Sequence, residues 1–231
     1  MADKQVVQNM DSGEQMIAKA KDFWGKYQKP IMIVCAAIIL IGGGWLVYEN
    51  FFKAPKEKKA ANAMFKAEEY YRIDSFKLAL NGDGINAGFL KVISQYGGTK
   101  NANLACYYAG ACYIRLDDNA NAIKYLNKFS TSSKPVMQRT YSLLGDAYGE
   151  TGKFQDAYEN YKKSAAAFEE DETSAAAGLY AAAYTAYKKL NKPKDAVELL
   201  KEIKEKFPAA IEYSQKVDAL LGELGVYNTE N

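Results

Sequence analysis

The side chains best suited to covalent or metal chemistry are three cysteines, Cys35, Cys106 and Cys112; the chain has no histidine. That absence removes His-based triads, most zinc sites and the commonest general base. Cys106 and Cys112 fall on one expected helix, six residues apart. Six helical residues rise about 9 Å, beyond the reach of a disulfide, so both read as buried core thiols. The acidic pairs Glu68–Glu69 and Glu169–Glu170 read as solvated helix faces. The turn sequence "NGDG", from Asn81 to Gly84, lacks the alternating acidic ligands of a calcium loop and reads as an inter-helix turn. There is no P-loop and no G-x-S-x-G elbow. The expectation is a chain without enzymatic activity, cofactor or metal.

Recognition chemistry is better represented. Leu104, Tyr107, Ala111, Ile114 and Arg115 recur at helical spacing, as do Arg139, Ser142, Asp146 and Glu150, and then Ala181, Thr185, Lys188 and Lys189. If three helices stack in register, these residues share one concave face. Its early part is apolar and aromatic and suits a polypeptide segment with apolar side chains; its later part is charged. Packing between neighbouring helices is the competing explanation for some of these positions. From Ala60 onward 21 Lys/Arg stand against 22 Asp/Glu, with no clustered basic excess of the kind nucleic acid requires.

The elements that would position this face are legible as repeats. In "TYSLLGDAYGETGKFQDAYENYKKSAA", Tyr141, Leu144, Gly145, Tyr148, Ala157 and Tyr161 fall at the spacing of the tetratricopeptide pattern, with Ser164 where a further alanine is usual. Gly145 and Ala157 are small where two helices cross closely, and the tyrosines fill the space around the crossing. Moving the frame back 35 residues aligns Gly110, Tyr113 and Ala122; moving it forward 39 aligns Tyr180, Tyr187, Ala196 and Pro208. An atypical hairpin precedes them: a first helix over "KAANAMFKAEEYYRIDSFKLAL", the "NGDG" turn, and a second helix over "INAGFLKVISQY". Ile211, Val217, Leu220, Leu221 and Leu224 suit a final helix covering the open end, as such arrays need. The expected fold is all-α: one transmembrane helix, then a tetratricopeptide-repeat solenoid with a C-terminal capping helix.

The 18 residues from Ile31 to Tyr48 carry no charge. With the extension to Phe52 they reach about 33 Å as a helix, enough for a hydrocarbon core of about 30 Å. The run starts too far from the N-terminus for an ordinary signal peptide and ends in Trp45, Tyr48, Phe51 and Phe52, an interfacial aromatic belt rather than a cleavage site. The expected organisation is a head (1–30), a membrane span (31–52), a basic linker (53–59) and the repeat domain (60–231). The head contains a capping box at Ser12–Gln15 and reads either as an amphipathic helix on the lipid surface or as a frayed basic tail. Gly42, Gly43 and Gly44 would permit close approach of a partner helix, without a G-x-x-x-G pattern. Lysines flank the span equally, so charge does not orient it.

An N-terminal span followed by helical repeats of this size resembles the YfgM-like ancillary subunits of the SecYEG translocon. The likeness runs from about Lys26 to Leu224, and "GDGINAGFLKVISQYGGTKNANLACYYAG" is similar to versions from the Bacteroidota. The resemblance implies a bacterial inner-membrane protein with its N-terminus in the cytoplasm and its repeats in the periplasm. It implies as partners the SecYEG translocon, a PpiD-like membrane-anchored prolyl isomerase and unfolded or nascent secretory chains. A membrane-anchored scaffold in envelope biogenesis or secretion is the alternative. The glycine triplet and the long aromatic head depart from what the resemblance leads one to expect.

Overall fold

The structure, a computed structural model, describes residues 12–226. Among the described residues the elements are α-helices and one π-helical turn. Contacts divide the chain into two units, residues 1–55 and 56–231.

In the first unit, α1 (Ser12–Tyr48) leads into a π turn, Glu49–Lys53, in which Lys53 pairs with Glu49 at 2.9 Å. The side chains of Ser12 and Glu14, and with them the capping box, lie outside the described residues. α1 continues through Pro30, so residues 12–30 and the apolar run lie on one helix. A proline deep in a helix leaves a carbonyl without its donor, a defect that neighbours must accommodate. From Met32 to Tyr48 every side chain is exposed, and this is the one helix among the described residues long and apolar enough to cross a membrane. A Cβ added at Gly42, Gly43 or Gly44 would meet nothing within 4 Å.

The second unit is a row of four helical hairpins and a cap. The first pairs α2 (Ala54–Arg72) with α3 (Phe76–Asn81), whose course resumes as α4 (Phe89–Gln95). The next are α5 (Lys100–Arg115) with α6 (Asn119–Leu126), α7 (Lys134–Glu150) with α8 (Phe154–Ala167), and α9 (Glu172–Lys188) with α10 (Pro193–Lys206). α11 (Ile211–Glu223) covers the end. The segment expected as a basic linker is helical, and it is tied to the array. Lys56 Nζ donates to the Gly97 carbonyl at 2.7 Å, and Glu57 accepts the amides of Lys100 and Asn101 at 2.8 Å, capping the start of α5. Burial opposes ionisation of Glu57, but the hydrogen bonds from Asn101 and Lys100 outweigh it and hold the carboxyl below its ordinary range.

All four hairpins share one turn. A residue in the left-handed region stands two places before each second helix: Asp74 (φ 57°), Asp117 (φ 60°), Gly152 (φ 73°) and Asn191 (φ 53°). The amide after it reaches back to a carbonyl in the last turn of the first helix: Ser75 to Tyr70, Asp118 to Tyr113 and Lys153 to Tyr148, each at 2.9 Å, and Lys192 to Ala186 at 2.8 Å. These bonds satisfy carbonyls that the helix end leaves open. Five residues before each first helix ends lies a small buried residue: Ala67, Gly110, Gly145 or Ala183. Each second helix answers with a fully buried alanine three residues after its start: Ala79, Ala122, Ala157 or Ala196.

This geometry revises two expectations. In the first hairpin the helix does not run on to Leu80; it ends at Arg72, and Asp74 makes the shared turn. The "NGDG" stretch instead begins an insertion that splits the second helix, which resumes at Phe89 rather than Ile85. In the last hairpin the connecting turn has one residue more than the others, so the first-helix register moves by one. The small position is Ala183, fully buried, while Tyr184, which the sequence frame places there, is 45 % exposed.

The inserted loop is organised by Asp83. Its carboxylate accepts the Tyr70 hydroxyl at 2.6 Å, the Asn86 amide at 2.6 Å and side chain at 2.8 Å, and the Ile85 amide at 2.9 Å. These bonds, led by that from Tyr70, hold its pKa far below the ordinary carboxylate range. A depressed carboxylate pKa contributes stability that is complete above the unfolded-state pKa and lost as pH falls through the folded one. The Ile85 and Asn86 amides should therefore keep their hydrogen-exchange protection, relative to intrinsic rates, at pH 5 and lose it only in strong acid. Asp83→Ala should remove it at every pH. Protection that fell away between pH 6 and 4 would contradict the assignment.

Candidate protein-binding groove

The first helices α2, α5, α7 and α9 line the inner face of the array. The first cavity there, about 330 Å³, lies between α2, α5 and α7. Its apolar wall includes Tyr71, Phe76, Tyr107, Ile114 and Leu143; Arg115, Arg139, Asp74 and Asp146 supply charge. The Arg115 guanidinium lies 5.3 Å from the centre of the Phe76 ring, a cation–π contact that orients it. Tyr71 packs edge-on against Phe76 (5.7 Å) and Tyr108 (5.1 Å), which stiffens this wall.

A second cavity of about 200 Å³ adjoins it between α7 and α9, with Tyr161 and Ser164 of α8 at its base. Arg139 and Asp146 belong to both cavities. α9 can approach α8 because Gly178 has no side chain: a Cβ there would lie 2.9 Å from the Tyr161 carbonyl oxygen and the Ala165 nitrogen. Tyr161, packed over Gly145, donates its hydroxyl to Asp146 at 2.9 Å. Asp146 is solvent-accessible, yet it sits in a concavity and is partly desolvated. That desolvation raises its pKa, against the opposing pull of the Tyr161 hydrogen bond and the Arg139 charge. Burial, and then the Asp146 charge, push the Tyr161 phenol up as well.

Of the residues singled out by spacing, Tyr107, Ile114, Arg115, Arg139 and Asp146 come together around the first cavity. Leu104 is half-buried and packs into the core of the first two hairpins. Glu150 is exposed at the end of α7. Lys188 pairs with Glu223 of α11 at 2.5 Å and stacks on Tyr187, so its ammonium serves the cap. Spacing missed Tyr71 and Phe76, which reach the groove only because the chain turns at Asp74, and Gln138, buried in the wall of the second cavity beside Ser164 of α8. Cys112 is fully buried, and burial pushes its thiol up to about 12; Cys106 is buried and raised too. Neither has thiolate character at neutral pH. A further cavity of about 260 Å³ between α6 and α7 is lined by Phe129, Met137 and Tyr141 and contains no charged side chain.

The tetratricopeptide-repeat family model matches residues 105–132 and 177–210, the two hairpins on either side of the one that carries the fullest sequence pattern. The fold is a tetratricopeptide-repeat solenoid. Tetratricopeptide repeats in two crystal structures of a kinesin light chain-type protein from Podosopora anserina, described as nearly identical TPR-like repeats, superpose on it with TM-scores of 0.50. Identity is 14 and 15 %, and each superposition covers 73 % of this chain and 94 % of the other. No curated protein matches the sequence. Tetratricopeptide solenoids are protein–protein interaction scaffolds, and their concave side is the surface they offer.

Proposed function

We propose that this chain is a membrane-tethered tetratricopeptide scaffold that serves the Sec translocation machinery. Its apolar helix anchors it in the bacterial inner membrane with the N-terminus in the cytoplasm. Its groove works on the periplasmic side, meeting newly translocated polypeptides together with a membrane-anchored chaperone of the prolyl-isomerase type. The observation that carries the reading is the pairing, in one chain, of an exposed apolar helix of spanning length with an inner-face cavity lined by both apolar and charged side chains. The resemblance to YfgM-like subunits supplies the orientation and the partners. Tethering is the mechanism: an anchored groove meets a chain emerging beside it at an effective concentration that a weak site in free solution lacks.

Two measurements test this. A reporter fused after Asn231 should be active only in its periplasmic form. In-cell photocrosslinking from Tyr107 or Ile114 should capture translocon subunits, the chaperone or secretory chains. A cytoplasmic reporter would end the reading. Capture of one folded envelope protein, with no affinity for unfolded chains, would replace it with an envelope-biogenesis scaffold.

A further inference from the structure

The wall of the second cavity holds a buried donor that nothing among the described residues uses. Gln138 is 7 % exposed, lines the cavity, and its side-chain nitrogen has no hydrogen-bond partner. A buried amide left unpaired is costly, and native structures retain few. That nitrogen is a donor and needs an acceptor, and the nearby hydroxyls of Tyr161, Ser164 and Ser174, which donate to Asp146 at 2.9 Å, to the backbone carbonyl of Gln138 at 3.0 Å and to Asp171 at 2.7 Å, do not accept from it. What remains for a ligand is the Gln138 amide, the Arg139 guanidinium and the second oxygen of Asp146.

These groups ask for an acceptor and a donor side by side. They also select against an anion, because a carboxylate or phosphate drawn to Arg139 would meet Asp146 in a site with no net charge. A carboxamide fits: its carbonyl faces Gln138 and Arg139, and its N–H faces Asp146. The soft terminal torsion of Gln138 lets its nitrogen turn toward such a carbonyl. At about 200 Å³ the cavity is smaller than ordinary small-molecule pockets of roughly 300–1,000 Å³, and it adjoins the first cavity, with which it shares Arg139 and Asp146. An extended ligand can therefore reach both. We propose that the cavity between α7 and α9 is a subsite for a glutamine or asparagine side chain of an extended polypeptide, whose neighbouring apolar side chain fills the cavity between α2, α5 and α7. This rests on the groove binding polypeptide segments, as set out above.

The test uses the full chain in detergent micelles and two fluorescently labelled, end-capped peptides, Ser-Phe-Gln-Leu-Ser and Ser-Phe-Glu-Leu-Ser, read by anisotropy. The glutamine peptide should bind about tenfold more tightly, the effect of one good hydrogen-bonded match. Gln138→Leu should abolish that preference while raising Tm by about 2–4 °C, because it removes the unpaired buried amide. Asp146→Asn should weaken the glutamine peptide and strengthen the glutamate one. Preference for glutamate, or a glutamine preference that survives Gln138→Leu, overturns the subsite. Equal binding of both peptides, abolished by Ile114→Asp, overturns the subsite and leaves the groove standing. If neither peptide binds, both fall.

Discussion

Replacing Phe89 by alanine should cost about 3–5 kcal/mol, the range for truncating a fully buried aromatic. Phe89 is 0 % exposed and the largest of the fully buried side chains. Its ring stacks on Tyr108 of α5, with centroids 5.1 Å apart and planes within 5°, in a cluster that also holds Met64, Leu80 and Val92. It is the first residue of α4, so it pins the resumed half of the split helix to the next hairpin. Solenoids are stabilised hairpin by hairpin, each resting on its neighbours. The loss should therefore be regional. Hydrogen exchange should accelerate in α3, α4 and the first turns of α5, while α9 and α10 retain their protection. Phe65→Ala, at a residue 59 % exposed, should lie within about 0.5 kcal/mol of the parent. Uniform loss of protection along the array would refute the regional account.

Gly178→Val should be the most damaging change at the groove, costing about 3 kcal/mol, the upper range for overpacking a tight site. The atoms that a Cβ meets there at 2.9 Å belong to the backbone of α8 and cannot rotate aside. α9 would have to move off α8, and the cavity holding Gln138 would change shape with it. Gly222→Ala is the control. Gly222 lies within α11, and a Cβ there meets nothing within 4 Å, so the substitution should stabilise by about 0.5–1 kcal/mol through helix propensity alone. Thermal unfolding of both variants should move Tm in opposite directions. A Gly178→Val protein as stable as the parent would mean that the close crossing of α8 and α9 is not needed.

The parts of the fold legible in the sequence were those whose side chains announce their packing. Gly145 lies against the Tyr161 ring, which leaves no room for a side chain there, and Ala157 is fully buried on the helix that carries the ring. Two features were hidden. The turn at Asp74 carries neither glycine nor proline, and "YYRIDSF" has the composition of continuing helix; only the left-handed backbone at Asp74 reveals the break. The extra residue between α9 and α10 leaves a tyrosine-rich helix readable in either of two adjacent registers, and burial of Ala183 rather than Tyr184 decides between them. The groove divides in the same way. Tyr107, Ile114, Arg115, Arg139 and Asp146 follow from spacing, since position on one helix face is a local property. Gln138 does not, because a glutamine becomes an unpaired donor only once a distant helix covers it.

The cap carries a consequence for how such a chain can change length. Val217, Leu220 and Leu221 seal the last hairpin, while Lys188–Glu223 and Lys204–Asp218 fasten α11 at its margins. A duplicated hairpin appended beyond α11 would meet a helix whose Val217, Leu220 and Leu221 are already committed to the last hairpin. New units enter more readily in the interior, where each hairpin already rests on a neighbour. Lineages that lengthen this array should therefore do so from the middle, with the membrane helix and the seal kept as fixed bookends and the groove free to acquire new subsites between them.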